Sequence, residues 1–173
     1  MTALAVLHFF FISLLQLSIC LISASTVQFM TSIVNDGSNH WLSFKSSQKS
    51  LQFQVRACEN ARILLSDQPY GTVVYQIIVG SEGNTKSTIT RYNSGNAAYD
   101  VVAEESTPGV LNCMETKYFW LSWRNGVLEL ALGSSSGRRL IDWSDSNPRS
   151  VNALGVLSGT SLGSSWTYSY ESG

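Results

Sequence analysis

Lys117-Tyr118-Phe119-Trp120-Leu121-Ser122-Trp123 meets Val127-Leu128-Glu129-Leu130-Ala131-Leu132 across Arg124-Asn125-Gly126. Both flanks are built from the aromatic and aliphatic residues that line pleated surfaces. Asn-Gly tolerates positive φ at both central turn positions, so the segment reads as a type I′ hairpin. Such a turn fixes two antiparallel strands and their register. The rest of the chain follows the same period. Leu51-Gln52-Phe53-Gln54-Val55-Arg56-Ala57 alternates apolar with polar, as a half-buried strand does. Ile63–Leu65 is a shorter candidate. Val73–Val79 is a continuous β-branched run, expected as a central strand covered on both faces. Ser87–Tyr92, Ala98–Ala103, Arg139–Trp143, Ala153–Leu157 and Trp166–Tyr170 follow, and the less regular Thr26–Ser50 is expected to supply edge strands. Pro69, Pro108 and Pro148 fall between the runs, where a missing N–H costs no ladder bond. Gly80–Asn84, Ser134–Gly137 and Ser158–Ser165 read as loops. No segment has a helical period. The expected fold is all-β, a two-layer antiparallel β-sandwich, jelly-roll-like.

Met1–Ser25 stands apart. It carries no charged side chain and is almost solidly apolar from Leu4 to Ile22, ending in Ser23, Ala24 and Ser25. An apolar core with a small-residue exit is the pattern of a cleaved secretory signal. Cleavage after Ala24 and after Ser25 fit equally well. The rival is an uncleaved anchor, since the run is long enough to span. The reading adopted is a signal peptide over residues 1–25 and one domain over 26–173. The protein is then secreted and extracellular, with no membrane contact after cleavage.

Charge is scarce throughout. Charged residues are 13% of the 173, and the net charge is -1. Without the leader the share rises only to about 16%, against the ~25% of an average domain. A chain with so little positive field is not expected to bind nucleic acid. Neutral polar partners fit it better. Cys20 lies in the leader, leaving Cys58 and Cys113. In an oxidising compartment these two are expected to pair; two buried free thiols are the alternative. No Asn-x-Ser/Thr sequon occurs.

Catalytic patterns are weak. Gly133–Gly137 and Gly159–Gly163 both match G-x-S-x-G, but neither is followed by the helix that a nucleophile elbow needs. The one His outside the leader, His40, precedes both, against the hydrolase order. No G-x-G and no P-loop occurs, so no nucleotide-type cofactor is expected. Glu104 and Glu105 are adjacent and would point to opposite faces of a strand, so they are not a glycosidase pair; a solvated loop is expected there. Arg138-Arg139 reads as a solvated edge. Asp142, Asp145 and Asn147 put three oxygen-bearing side chains in one short stretch, which admits calcium or a plain turn.

The remaining chemistry is aromatic. Trp143 lies beside Asp142 and near Asp145 and Asn147 at a strand end. Tyr92, with Tyr70, Tyr99 and Trp41, also lies near strand ends. A flat ring next to carboxylate and amide groups can stack on a sugar while the polar groups take its hydroxyls. The candidate ligand-binding residues are therefore Trp143, Asp142, Asp145, Asn147 and Tyr92, each of which also fits a core or rim position. No catalytic or metal-binding set is assigned.

The stretch from Phe53 to Trp166 resembles the farnesoic acid O-methyltransferase domain family. The matching pieces are Phe53–Cys58, Ile63–Ser66, Tyr75–Gly80, Asn84–Ile89, Tyr118–Gly126 with Leu132-Gly133, and Val156-Leu157 with Gly163–Trp166. The resemblance implies methyl transfer from S-adenosylmethionine to a sesquiterpenoid acid. It also implies kinship with secreted invertebrate recognition modules. No catalytic residue carries over by position. The function expected is a secreted, non-catalytic, lectin-like binding module for a glycan or surface. The alternatives are the methyltransferase of the family name and a structural or oligomer-forming matrix protein.

Overall fold

The computed structural model describes residues 24–31, 40–43, 48–158 and 164–171. Most of the expected leader and the Gly159–Gly163 motif lie outside them. The described residues form twelve strands: β1 (Ala24–Thr31), β2 (His40–Ser43), β3 (Ser50–Ala57), β4 (Ala61–Ser66), β5 (Val73–Gly80), β6 (Lys86–Asn93), β7 (Ala98–Ser106), β8 (Asn112–Arg124), β9 (Val127–Leu132), β10 (Arg139–Ser144), β11 (Ala153–Ser158) and β12 (Ser164–Glu171). The first sheet runs β1-β12-β3-β8-β9-β10 and the second β2-β11-β4-β5-β6-β7. Every pairing is antiparallel. The fold is the two-layer sandwich that the alternation predicts.

The elements follow from local chemistry. Asn125 (φ 52°) and Gly126 (φ 78°) take the left-handed conformations of the I′ turn. Arg124 then pairs with Val127, which sets the whole β8–β9 register. The stretch expected to give edges does so: β1 ends the first sheet and β2 the second. Gly80–Asn84 is a loop-like turn in which Gly80, Glu82, Gly83 and Asn84 all have positive φ. Three expectations change. The strand read from Ile63 begins at Ala61. Glu104 and Glu105 lie in strand β7, not a loop, because their backbone pairs with Thr88 and Ser87. On β5 only one face is deeply covered: Tyr75, Ile77 and Val79 are buried while Val74, Gln76 and Ile78 are half-buried.

The core lies between the sheets. Phe53 pairs with Phe119 and Tyr168 across the ladders. Its ring stacks on Phe119 at 5.2 Å and tilts against Trp166 at 5.7 Å. Ile63, Leu65, Ile77, Ile89, Leu154 and Val156 meet them from the second sheet. Trp123 is buried and Trp120 faces outward, as their odd spacing requires. Cys58 and Cys113 form a disulfide that ties the β3–β4 turn to the start of β8.

Candidate functional site

The residues singled out in the sequence separate. Trp143 and Asp142 are neighbours on β10 and face opposite ways. Trp143 packs on the core, edge-on to Tyr75 at 6.2 Å and 62°. Asp142 faces out and pairs with Arg139 at 3.4 Å. Asp145 follows the strand with only 5% of its side chain exposed. Its Oδ2 accepts hydrogen bonds from Tyr75 Oη at 2.7 Å and Arg91 Nε at 2.7 Å. Its Oδ1 accepts one from the Asn147 N–H at 2.8 Å. Arg91 Nη2 donates to the Asn147 carbonyl at 3.1 Å, and the Arg149 N–H donates to Tyr75 Oη at 2.9 Å.

Burial alone would raise the Asp145 carboxyl. The Tyr75, Asn147 and Arg91 hydrogen bonds outweigh it and hold the group below its ordinary value. Burial in turn pushes the Tyr75 phenol up. This network is a clip between the β10–β11 connection and the second sheet. Both Asp145 oxygens are engaged by protein donors and Asp142 is paired elsewhere, so the set does not fit calcium. Among the described residues, no group of three or more His, Cys, Asp or Glu could hold a metal ion. A cleft of about 230 Å³, open mouth included, lies beside the clip, walled by Tyr75, Trp123, Leu128, Pro148 and Val151. The room inside it is about 20 Å³, far below the ~300–1,000 Å³ of ordinary ligand pockets.

The other aromatics gather on the outer face of the second sheet. β4, β5 and β6 present Ile63, Ile77 and Ile89 to the core, so Leu64, Gln76 and Thr90 face out. These line up through the ladders with Gly155 and Trp41 on one side and Val101 on the other. A Cβ on Gly155 would meet the Trp41 ring at 3.2 Å, so the missing side chain is what lets the indole lie flat across β11. Trp41 in turn contacts Tyr70, with ring centroids 5.9 Å apart. Tyr92 and Tyr99 are register partners on the same face, with rings 5.4 Å apart. Tyr99 Oη donates to the Val73 carbonyl at 3.0 Å. The two ring pairs thus flank the start of β5.

The loop carrying Tyr70 is held by Ser66, whose hydroxyl contacts the Gln68 and Thr72 carbonyls at 2.8 and 2.9 Å. Tyr70 has φ 59° and is 80% exposed. Left-handed backbone on a bulky residue costs about 1–3 kcal/mol, and strain of this kind clusters at ligand sites. The floor of the face mixes apolar residues such as Leu64 with two polar atoms that lack partners among the described residues. Arg62 Nε and Thr90 Oγ1 are both buried without a hydrogen-bond partner among the described residues. Each such group costs roughly 1–3 kcal/mol if nothing completes it.

Of the sequence candidates, only Tyr92 belongs to this face. Arg62, Gln76 and Thr90 were not among them. Their signal is their place on the polar side of strands whose other side is core.

This is a β-sandwich of the shape found in galectins and carbohydrate-binding modules. Galectin LEC-6 of Caenorhabditis elegans superposes with a TM-score of 0.55 at 11% identity, over 84% of this chain and 96% of that one. The carbohydrate-binding module CBM66 of Bacillus subtilis gives 0.51 at 14% identity, over 86% and 91%. A human galectin-16 variant gives 0.51 at 12% identity, over 82% and 100%. Identities this low establish the fold alone. The chain belongs to the farnesoic acid O-methyl transferase family, whose sequence model matches residues 28–173. A comparison with curated proteins finds no match.

Proposed function

We propose that this is a secreted, non-catalytic binding module that holds a glycan on the outer face of its second sheet. The observation that carries the reading is the pair of ring contacts flanking β5, Trp41–Tyr70 and Tyr92–Tyr99, beside a floor with buried polar atoms lacking partners. Rings stack on the apolar face of a sugar, and the polar atoms of the floor take its hydroxyls. The sandwich shared with galectins and a carbohydrate-binding module supports it. Secretion rests on the apolar segment 1–25 and agrees with the Cys58–Cys113 disulfide. Among the described residues no helix is long and apolar enough to cross a membrane.

The test is a glycan array followed by calorimetry on the hits. Tyr70→Asn separates binding from folding. Asn accepts left-handed backbone readily, so the variant should be about 1 kcal/mol more stable to urea. It should also bind the hit at least several-fold more weakly, because the exposed ring is gone. Full affinity in this variant would remove Tyr70 from the site, and a silent array would remove the reading.

The second reading is the activity in the family's name, favoured by the family match. The cleft beside Tyr75 does not fit a methyl donor the size of S-adenosylmethionine. Transfer of labelled methyl to farnesoic acid, lost when the protein is unfolded, would establish this reading in place of the first.

A further inference from the structure

Arg62 stands on the outward side of β4, between two inward residues, Ala61 and Ile63. Its ladder neighbours are Ile78 on β5 and Leu157 on β11, so apolar side chains flank it on both strands. Its Nε is shut off from solvent and has no acceptor among the described residues, and no carboxylate is paired with it. Lys86, the other cation on this side of the sheet among the described residues, is already held by Glu82 at 3.0 Å and Glu104 at 2.9 Å. Arg62 is thus a half-buried positive charge whose Nε lacks an acceptor among the described residues, on the same side of the sheet as Gln76 and Thr90. Buried donors are almost always satisfied, so a half-buried guanidinium on this outward side of the sheet, with its covered Nε lacking an acceptor, suits an acceptor from outside. The acceptor that suits a guanidinium best is an anionic oxygen pair.

The spacing says what carries the anion. Ser66, which anchors the Tyr70 loop, is four residues along β4 from Arg62, about 13 Å at the rise of a strand. The ring pairs lie at one end of the face and the cation toward the other. Resting on the glycan reading above, we infer that this face takes an acidic oligosaccharide. One sugar stacks at the ring end, and the carboxylate or sulfate of a unit further along pairs with Arg62.

Calorimetry on the full chain with three tetrasaccharides tests this. Hyaluronan tetrasaccharide carries carboxylates alone, chondroitin sulfate tetrasaccharide carries both anions, and chitotetraose is neutral. At least one acidic probe should bind about tenfold more tightly than the neutral one, the effect of one charge-assisted hydrogen bond. The preference should shrink as salt rises. Arg62→Gln should abolish the preference, bringing the acidic probes to within about twofold of the neutral one, while the amide still offers a donor to a neutral hydroxyl. Its melting temperature should be equal or higher, because the removed charge has no partner among the described residues. The better of the two acidic probes identifies carboxylate or sulfate. Equal affinities for acidic and neutral probes in the unaltered protein would overturn the acidic assignment and leave the glycan reading standing. A preference that survives Arg62→Gln, or a variant that melts lower and loses all probes alike, would overturn the role of Arg62. Binding of none of the three, with a silent array, would remove both readings together.

Discussion

Replacing Cys58 and Cys113 with serine should lower the stability of the domain by about 4 kcal/mol. The bond closes a stretch of chain with a sequence separation of 55. In the unfolded state, that closure removes conformations which the serine variant regains. In the folded state little is lost, since Cys113 is exposed and Cys58 only half-buried. The effect therefore acts through the unfolded chain, and urea unfolding should show it in two ways. The midpoint should fall, and the slope should rise because the released chain exposes more surface. Adding reductant to the unaltered protein should reproduce both changes. A loss below about 1 kcal/mol would mean that the reduced chain stays compact across this stretch.

Asp145→Ala is the second large effect, expected at about 3 kcal/mol. The substitution leaves the Arg91 guanidinium and the Tyr75 hydroxyl facing a site from which their shared acceptor is gone. The lower end of the range for a buried pair applies, because 24% of the Arg91 side chain remains in water. The pH dependence has a definite sign. The folded-state carboxyl is held below its ordinary value, so its contribution is complete above about pH 4, the unfolded value, and is lost as pH falls through the lower folded value. Acid unfolding of the unaltered protein should therefore be steeper below pH 4 than that of Asp145→Ala. The double variant with Arg91→Ala should cost much less than the two single ones together. Additive costs would show that the clip is not a coupled unit.

The sandwich was legible because its cues are local. Asn125-Gly126 fixes a turn by steric demand alone, and Leu51–Ala57 declares its inner face by alternation. The division of strands between sheets was not legible, since β3 pairs with β8 and β12, far away in sequence. The proposed site shares only Tyr92 with the residues singled out in the sequence. Trp143 stands out in the sequence for its place at a strand end beside carboxylates, which says nothing of the face it takes. Beyond a register shift between Arg139 and Ile141 the strand alternates, with Ile141 and Trp143 toward the core and Asp142 outside. Asp145 looks like a surface turn carboxylate until Tyr75 and Arg91 close on it from distant strands. Arg62 was passed over for the opposite reason. An arginine between Ala61 and Ile63 looks like the end of a loop, and only the pairing of Ala61 with Val79 shows that the strand has already begun.

β7 closes the second sheet with nine residues whose outer backbone edge has no strand beside it among the described residues. An edge of that length is a template for a second copy of itself. Yet Asp100, Glu104 and Glu105 stand on it, three of only twelve acidic residues in the chain. A second β7 laid antiparallel about Val102 would set Asp100 against Glu104 at both ends of the ladder, a like-charge contact that opposes pairing. A protein with so few charges has concentrated them where sheets would otherwise fuse. Whether two copies join sheet to sheet, and whether the neighbouring Tyr99 ring stays accessible, then depend on this short acidic border.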